Sequence, residues 1–338
     1  MAITLNDSEE LTGVRSGPDA IPGTLNLLIL FAAVAIGGIL LWLASHAESW
    51  LWVVAAALGF SFVNNTIFSL LHESVHGKLH ANRAVNEWCG RFAAGFFPTG
   101  LSMQRAFHLG HHRRNRTEVE QFDYIRPGDN KFLKYAQWYS ILTGLYWGSA
   151  PIGCLTYLLA PWVIRLPVFR SRNSALARQT STNAMIGDLD GVSGWKARPE
   201  ILLSIAIQLA LFVFLDLNLV GWAACYAAFA VNWSSLQYAD HAWSELDVRN
   251  GAWNLRVNKI VQFLFLNYHH HLAHHRHPEV AWVHLHRYVD FSAYRPRFLS
   301  VYLSMWRGPR RLYDSRGVGV PSPLYSGESV CKEREHND

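Results

Sequence analysis

Charge is scarce in this 338-residue chain: Asp, Glu, Lys and Arg together make up 16% of it, where about a quarter is usual for a soluble domain. Half of the residues are apolar, and long stretches carry no charge while the segments between them carry many. That is the distribution of a membrane protein with a water-facing part. Cysteine is nearly as sparse. Cys89, Cys154, Cys225 and Cys331 are scattered without a C-x-x-C pair, which excludes an iron–sulfur cluster and a zinc ribbon and argues against a disulfide framework. They read as small hydrophobes. No G-x-G-x-x-G dinucleotide fingerprint and no cytochrome-type haem motif occurs, so electrons for any redox chemistry come from a separate protein. The net charge of +5 is not gathered into a basic stripe with interleaved aromatics, which excludes nucleic acid as a partner. No internal repeat is visible, and the first 23 residues lack the positive n-region of a secretory signal.

What is present begins with apolar runs and 14 tryptophans, a residue that prefers the membrane interface. Residues 24–44 and 50–71 are uncharged and each is long enough to cross a bilayer core, for which about 20 residues suffice. The turn between them holds His46 and Glu48 but no Lys or Arg. A helical hairpin follows, with residues 1–23 and everything beyond 71 on one side. Lys78, Arg83, Arg91, Arg105, Arg113, Arg114 and Arg116 lie on that side, and the positive-inside rule makes it the cytoplasm.

Residues 137–164 are apolar but interrupted by Gly148, Pro151, Gly153 and Pro161, with Arg165, Arg170, Arg172 and Arg178 after them. Residues 200–220 and 221–238 form another pair about Asp216-Leu217-Asn218. If all three runs crossed, later histidines would lie across the membrane from earlier ones, so the Gly/Pro-broken run reads as interfacial or re-entrant, buried against protein. The expectation is an all-α membrane protein with four transmembrane helices and a cytoplasmic helical cap. Residues 1–23 read as a flexible lead, 24–307 as the membrane domain with 166–199 as a polar cytoplasmic connection, and the Pro/Gly/charge-rich 308–338 as a disordered tail.

The densest chemical signal is Asn267-Tyr268-His269-His270-His271-Leu272-Ala273-His274-His275-Arg276-His277-Pro278. A globular interior has no packing reason to gather imidazoles, and a purification tag is a uniform terminal run, not a spaced internal one. His271, His274 and His275 stand at i, i+3 and i+4, so on a helix their rings share a face. His108, His111 and His112 repeat that spacing, His72 and His76 are one helical turn apart, and His241 closes the last apolar run four residues after Gln237. Each cluster lies just beyond a hydrophobic segment on one side of the membrane. Nine histidines result: His72, His76, His108, His111, His112, His241, His271, His274 and His275. One zinc needs at most four ligands, so nine suit two ions with four or five each. Imidazole donors fit zinc, copper or iron and disfavour magnesium or calcium, which leaves the metal unnamed. His80, four residues after His76, is a further candidate ligand or supporting group. His269, His270 and His277 read as residues that orient ligands or bind backbone, and His46, His284, His286 and His336 as bland surface or interface residues.

His72-Glu73-Ser74-Val75-His76 also satisfies H-E-x-x-H, in which two histidines bind zinc and Glu73 is the general base of a metalloprotease. The longer metzincin form fails at Leu79 and Asn82, and a protease leaves both H-x-x-H-H clusters without work. A metal-storage or transport protein is the binding-class alternative, but it needs ionisable groups inside the helices, and the spans offer almost none.

Three boxes in order, H-E-x-x-H-G at His72, H-x-x-H-H at His108 and H-x-x-H-H at His271 with the H-H-x-x-P continuation to Pro278, resemble the integral-membrane fatty acid desaturase and hydroxylase superfamily. That superfamily includes carotenoid ketolases and hydroxylases and alkane monooxygenases, and the resemblance covers residues 24–287. It implies a di-iron centre (two Fe2+, with O2 as co-substrate) held by the boxes and His241, in an inner or plasma membrane with the active site on the cytoplasmic side. The implied activity is O2-dependent oxidation of C–H bonds in a lipid or acyl substrate taken from the membrane. Fatty acyl desaturation is the expected reaction, with hydroxylation or ketolation of a fatty acyl, alkane or carotenoid substrate as the alternative. An unactivated C–H bond does not yield to side-chain acid–base chemistry, so the reaction needs a redox centre, and a ferredoxin, rubredoxin or cytochrome is the expected electron donor. Arg113, Arg114, Arg116 and Lys131 are candidates for its docking patch. Arg113-Arg114-Asn115-Arg116 after the second box, and Arg276-His277 where many acyl desaturases have Leu-Phe, leave the substrate class open.

Overall fold

The uncharged runs fold as long helices. In the computed structural model, which describes residues 19–171 and 173–312, α1 (Gly23–His46) and α2 (Trp50–Val75) form the first antiparallel hairpin. The second pair, labelled below in chain order, is α10 (Gly194–Phe214) and α11 (Leu219–Ala239). These four are long and apolar enough to cross a membrane, at 21 to 26 residues each, or about 30 to 40 Å of helix. Leu28, Phe31 and Ile39 of α1 and Leu209 and Val213 of α10 point outward, as lipid-facing residues do, whereas the lower half of α2 is buried throughout. The chain is thus an all-α membrane protein with four spanning helices, as the sequence predicts. The greater part of the lead (residues 1–18) and of the tail (313–338), with Cys331 and His336, lies outside the described residues.

The second pair is shifted from its apolar boundaries. Its turn falls at residues 215–218 because Asp216 takes a left-handed conformation, φ 47°, and Asn218 caps α11 by accepting a hydrogen bond from Gly221 N at 2.7 Å. Turn chemistry ends α10 before the hydrophobic run ends. At the other end α10 begins six residues early, at Gly194, and carries Glu200 into the bundle. In the same way α2 runs past residue 71 to Val75, so its last turn holds His72.

Between the pairs, α3 (Arg83–Phe96) and α4 (Leu101–Arg114) make a hairpin that sequence patterning did not reveal. Asn82 caps α3, accepting from Ala84 N at 2.9 Å and Val85 N at 3.2 Å. The other end of α3 is deep in the bundle. Phe96 O accepts from Asn64 Nδ2 at 3.2 Å and Tyr226 OH at 3.3 Å, and Gly95 O accepts from Gln208 Nε2 at 2.8 Å. Asn64 lies eleven residues before the end of α2, about 16 Å along the helix, so α3 climbs to mid-depth. A helix end placed there has no water to satisfy its carbonyls, and polar side chains from α2, α10 and α11 do so instead. The returning α4 is anchored at its start by Glu200, whose Oε2 accepts from Ser102 N at 2.6 Å while Oε1 accepts from Arg91 Nε at 3.0 Å.

The Gly/Pro-broken stretch contains no spanning helix: α5 (Lys131–Leu142), a 3-10 turn at Leu145–Gly148 and α6 (Ser149–Leu159) replace one. The break is enforced at Gly144. Its φ is 81°, and a Cβ there would stand 2.6 Å from Val231 N of α11. Gly144→Ala is therefore expected to lower stability by about 1–3 kcal/mol, read as a fall in melting temperature of the detergent-solubilised protein; an unchanged melt would show that the close approach is not required. Short helices α7 (Pro167–Arg170), α8 (Ala175–Gln179) and α9 (Thr182–Leu189) follow, and α12 (Lys259–Leu264), α13 (His271–Arg276) and α14 (Phe298–Met305) complete the cap. The described strands are one short parallel pair, Tyr124–Ile125 with Arg310–Arg311, which ties the last described residues back to the loop after α4.

Candidate metal centre

Four elements deliver the nine histidines predicted from spacing, and the fold brings all nine together. The end of α2 presents His72, with His76 immediately after it; α4 presents His108, His111 and His112; the turn after α11 presents His241; and α13 presents His271, His274 and His275. They sort into two groups. The ring nitrogens of His72, His76, His108 and His274 lie within 4.8 Å of one another, and so do those of His111, His241, His271 and His275. His112 sits between the groups. Its Nε2 is 3.0 Å from Nε2 of both His108 and His274, while its ring stacks on His275 with centroids 4.4 Å apart.

The tautomers show what these rings are arranged for. His241 Nδ1 is 2.8 Å from the Gly251 carbonyl, which only accepts, so Nδ1 carries the proton. His111 Nδ1 is 2.6 Å from Glu120 Oε2 and donates likewise. In neutral rings each Nε2 is then a bare lone pair, and the two stand 3.1 Å apart. Two acceptors facing each other repel unless a cation lies between them. His271 Nε2 joins the same point, 3.0 Å from His241 Nε2 and 3.2 Å from His275 Nε2. In the first group the buried His72 Nε2 has no hydrogen-bond partner. Convergent bare imidazole nitrogens whose far sides are held by carboxylate or carbonyl form the donor set of a transition metal.

Electrostatics keep the rings in the ligand form. Burial, then the neighbouring His112, Lys78 and Arg105, lowers His76 to about 3; burial, then the other rings of the cluster, lowers His112 to about 2. His108, His241, His271, His274 and His275 are held well below the usual imidazole value, with burial the first cause in each. These rings stay neutral in the fold at pH values where the unfolded chain protonates its histidines, near 6.5. Stability of the metal-free protein is therefore full above about pH 6.5 and falls as the pH drops from there toward the folded values. Each fully buried ring costs about 1 kcal/mol on going from pH 7.5 to 5.5. Thermal melts of metal-free protein at those two pH values test this; coincident melts would show that protons reach the rings without unfolding.

Several expectations need correction. His80 does not join the cluster: α2 has ended at Val75, Gly77 turns the chain with φ 70°, and His80 Nδ1 accepts from Asn82 N at 2.9 Å. The i+4 spacing from His76 to His80 is thus not on a helix. His269 and His270 are buried outside both groups, their rings 3.9 Å apart, and His277 lies against Tyr288. The basic patch is not built as expected. The side chain of Arg116 is 0% exposed and paired with Asp123, and Arg114 is committed to Asp188 and Glu120, which leaves Arg113 and Lys131 exposed. His72 and His76 do not stand as an isolated pair, and Glu73 Oε2 accepts from Trp282 N at 3.1 Å. Sequence reasoning missed Glu120, which arrives on a 3-10 turn nine residues after His111, and Asp240, buried beside His241 and held well above the usual carboxylate range by that burial. Adjacency to His241 was the signal for the second; the first had none.

The sequence model of the fatty acid desaturase family matches residues 47–308, well over half of the chain and all three histidine clusters. No curated protein matches the chain.

Proposed function

The chain belongs to the fatty acid desaturase family and is an oxidoreductase of the membrane by that membership and its four apolar helices; on that premise we propose that it is a di-iron enzyme that uses O2 to oxidise C–H bonds of a lipid-like substrate, with fatty acyl desaturation as the reaction. The observation that carries the reading is the convergence of nine imidazoles in two groups joined by His112. His72, His76, His108, His112 and His274 would hold one ion, and His111, His241, His271 and His275 the other. When bound, two ferrous ions supply the O2 activation that no side chain here supplies.

The chain's own residues orient and enclose. Glu120 and the Gly251 carbonyl fix His111 and His241, and Tyr268 closes the bundle side, its ring 5.0 Å from His72 and 5.1 Å from His271. Phe68, Phe97 and Trp233 pack together above Tyr268, an apolar layer of the kind that lies against a hydrocarbon substrate. The overall change is R–CH2–CH2–R′ + O2 + 2e⁻ + 2H⁺ → R–CH=CH–R′ + 2H2O. Its two electrons come from a separate ferredoxin, rubredoxin or cytochrome. The basic residues Lys78, Arg83 and Arg113 near the histidine clusters support a cytoplasmic active site. The H-E-x-x-H protease alternative has no support in a family of oxidoreductases.

Comparing the lipids of cells with and without the gene tests the proposal. A double bond that depends on the gene is the expected result, a hydroxyl or keto group would reassign the outcome within the same chemistry, and an unchanged lipid and pigment profile would count against it. Purified protein is expected to hold about two irons per chain; one zinc would restore the protease, and variable loading would point to a carrier.

A further inference from the structure

We propose that Asp240 is a tenth protein donor of the centre, presenting its carboxylate to the ion held by His111, His241, His271 and His275. The inference rests on the metal-centre reading above and adds a residue outside the histidine boxes. Asp240 directly follows α11, and its backbone is fixed, with its N–H donating to Leu236 O at 3.4 Å and its carbonyl accepting from Trp253 N at 2.7 Å. The side chain is 0% exposed, and neither oxygen receives a hydrogen bond. The polar atoms beside them are His241 Nε2, 3.8 Å from Oδ1, and His271 Nδ1, 3.5 Å from Oδ2.

The other buried acids are served differently. Asp123 accepts from Arg116, Trp243 N and Tyr238 OH; Glu200 from Arg91 and Ser102 N; Glu120 from His111 and Arg114; Glu73 from Trp282 N. Among the described buried acids, Asp240 alone has both oxygens without a donor. A carboxyl buried without a donor keeps its proton unless it meets a cation that takes the proton's place. The spacing suits that role, because two donors each about 2.1 Å from one ion lie about 3–4 Å apart, and Oδ1 is 3.8 Å from the nitrogen that His241 turns toward its group. The donor count agrees as well: His112 gives the first group a fifth nitrogen, and Asp240 gives the second group a fifth donor of the oxygen type that iron accepts.

The test uses the full-length chain in detergent, stripped of metal and titrated with Co(II), whose visible absorption reports its donor set. Wild type is expected to bind two ions. Asp240→Asn, which keeps the shape and the backbone bonds, is expected to bind one of them at least ~100-fold more weakly, beyond the loss that removal of a merely orienting residue brings, with an altered visible band and a smaller metal-induced rise in melting temperature, while the metal-free melt stays near wild type. Asp240→Glu restores part of the affinity. Two ions bound by Asp240→Asn with wild-type affinity and spectrum, or a lower metal-free melt with an unchanged metal-induced rise, would overturn the assignment and leave Asp240 a structural residue. A wild-type chain that binds no Co(II) stoichiometrically would instead overturn the centre itself, and this proposal with it.

Discussion

In a chain carrying His111→Ala, product formation is expected to disappear while the protein still reaches the membrane in normal amount. His111 lies on the half-exposed face of α4, so truncating it opens no core cavity, and α4 keeps its anchors. Arg105 remains bonded to Glu87 and to the carbonyls of Ser74 and Val75, and Arg114 to Asp188 and Glu120. What is lost is one nitrogen of a four-histidine group and the charge-assisted hydrogen bond through Glu120 that orients it. Loss of residues that merely orient ligands already costs 10- to 100-fold in metal affinity or activity, so removing a ligand is expected to cost about 100-fold or more, with iron content falling below two per chain. Product at near wild-type rate in gas-chromatographic lipid analysis would show that the second group does not bind the ion the chemistry needs.

The largest stability effect is expected at Arg116, four residues beyond the second box. Its guanidinium forks onto both oxygens of Asp123 at 2.9 Å each, with neither side chain exposed. Asp123 also accepts from Trp243 N at 2.7 Å and Tyr238 OH at 3.0 Å, so the pair clamps the segment after α4 to the end of α11. Arg116→Ala leaves a buried carboxylate without its cation, which costs about 3–5 kcal/mol. Arg116→Lys keeps the charge but not the fork and is expected to recover only part of the loss. Because the clamp holds Glu120 and His111 against His241, metal affinity should fall together with the melting temperature. A variant that melts with wild type would show the pair to be no more than an alternative to apolar packing.

The spans and the nine imidazoles were legible because their signals are local. An uncharged run of about 20 residues and an i, i+3, i+4 spacing each lie within one helix and need no knowledge of what packs against it. The α3–α4 hairpin was hidden for the opposite reason. It carries Arg83, Glu87 and Arg91, which read as a solvated loop, and it becomes a buried element only through Glu200, Asn64, Gln208 and Tyr226 from three distant helices. Arg116 misled in the same way. Its place in a basic run suggested a docking surface, whereas its carboxylate partner, seven residues later, takes it into the interior. His80 misled because a spacing means adjacency only while the helix lasts, and α2 had already ended.

The depth of α3 also sets an order of assembly. Two of the three donors that quiet its carbonyl end, Gln208 and Tyr226, and the carboxylate of Glu200 that steadies the start of α4 belong to residues 200–226, more than a hundred positions later in synthesis than α3 itself. While the nascent chain is still shorter than that, the hairpin has only α2 to lodge against, and the start of α4 lacks its carboxylate anchor. The histidine clusters are therefore brought together only after the second pair of helices enters the bilayer, and truncations between residues 115 and 200 are expected to leave an anchored chain whose second box has neither its supports nor its partner histidines.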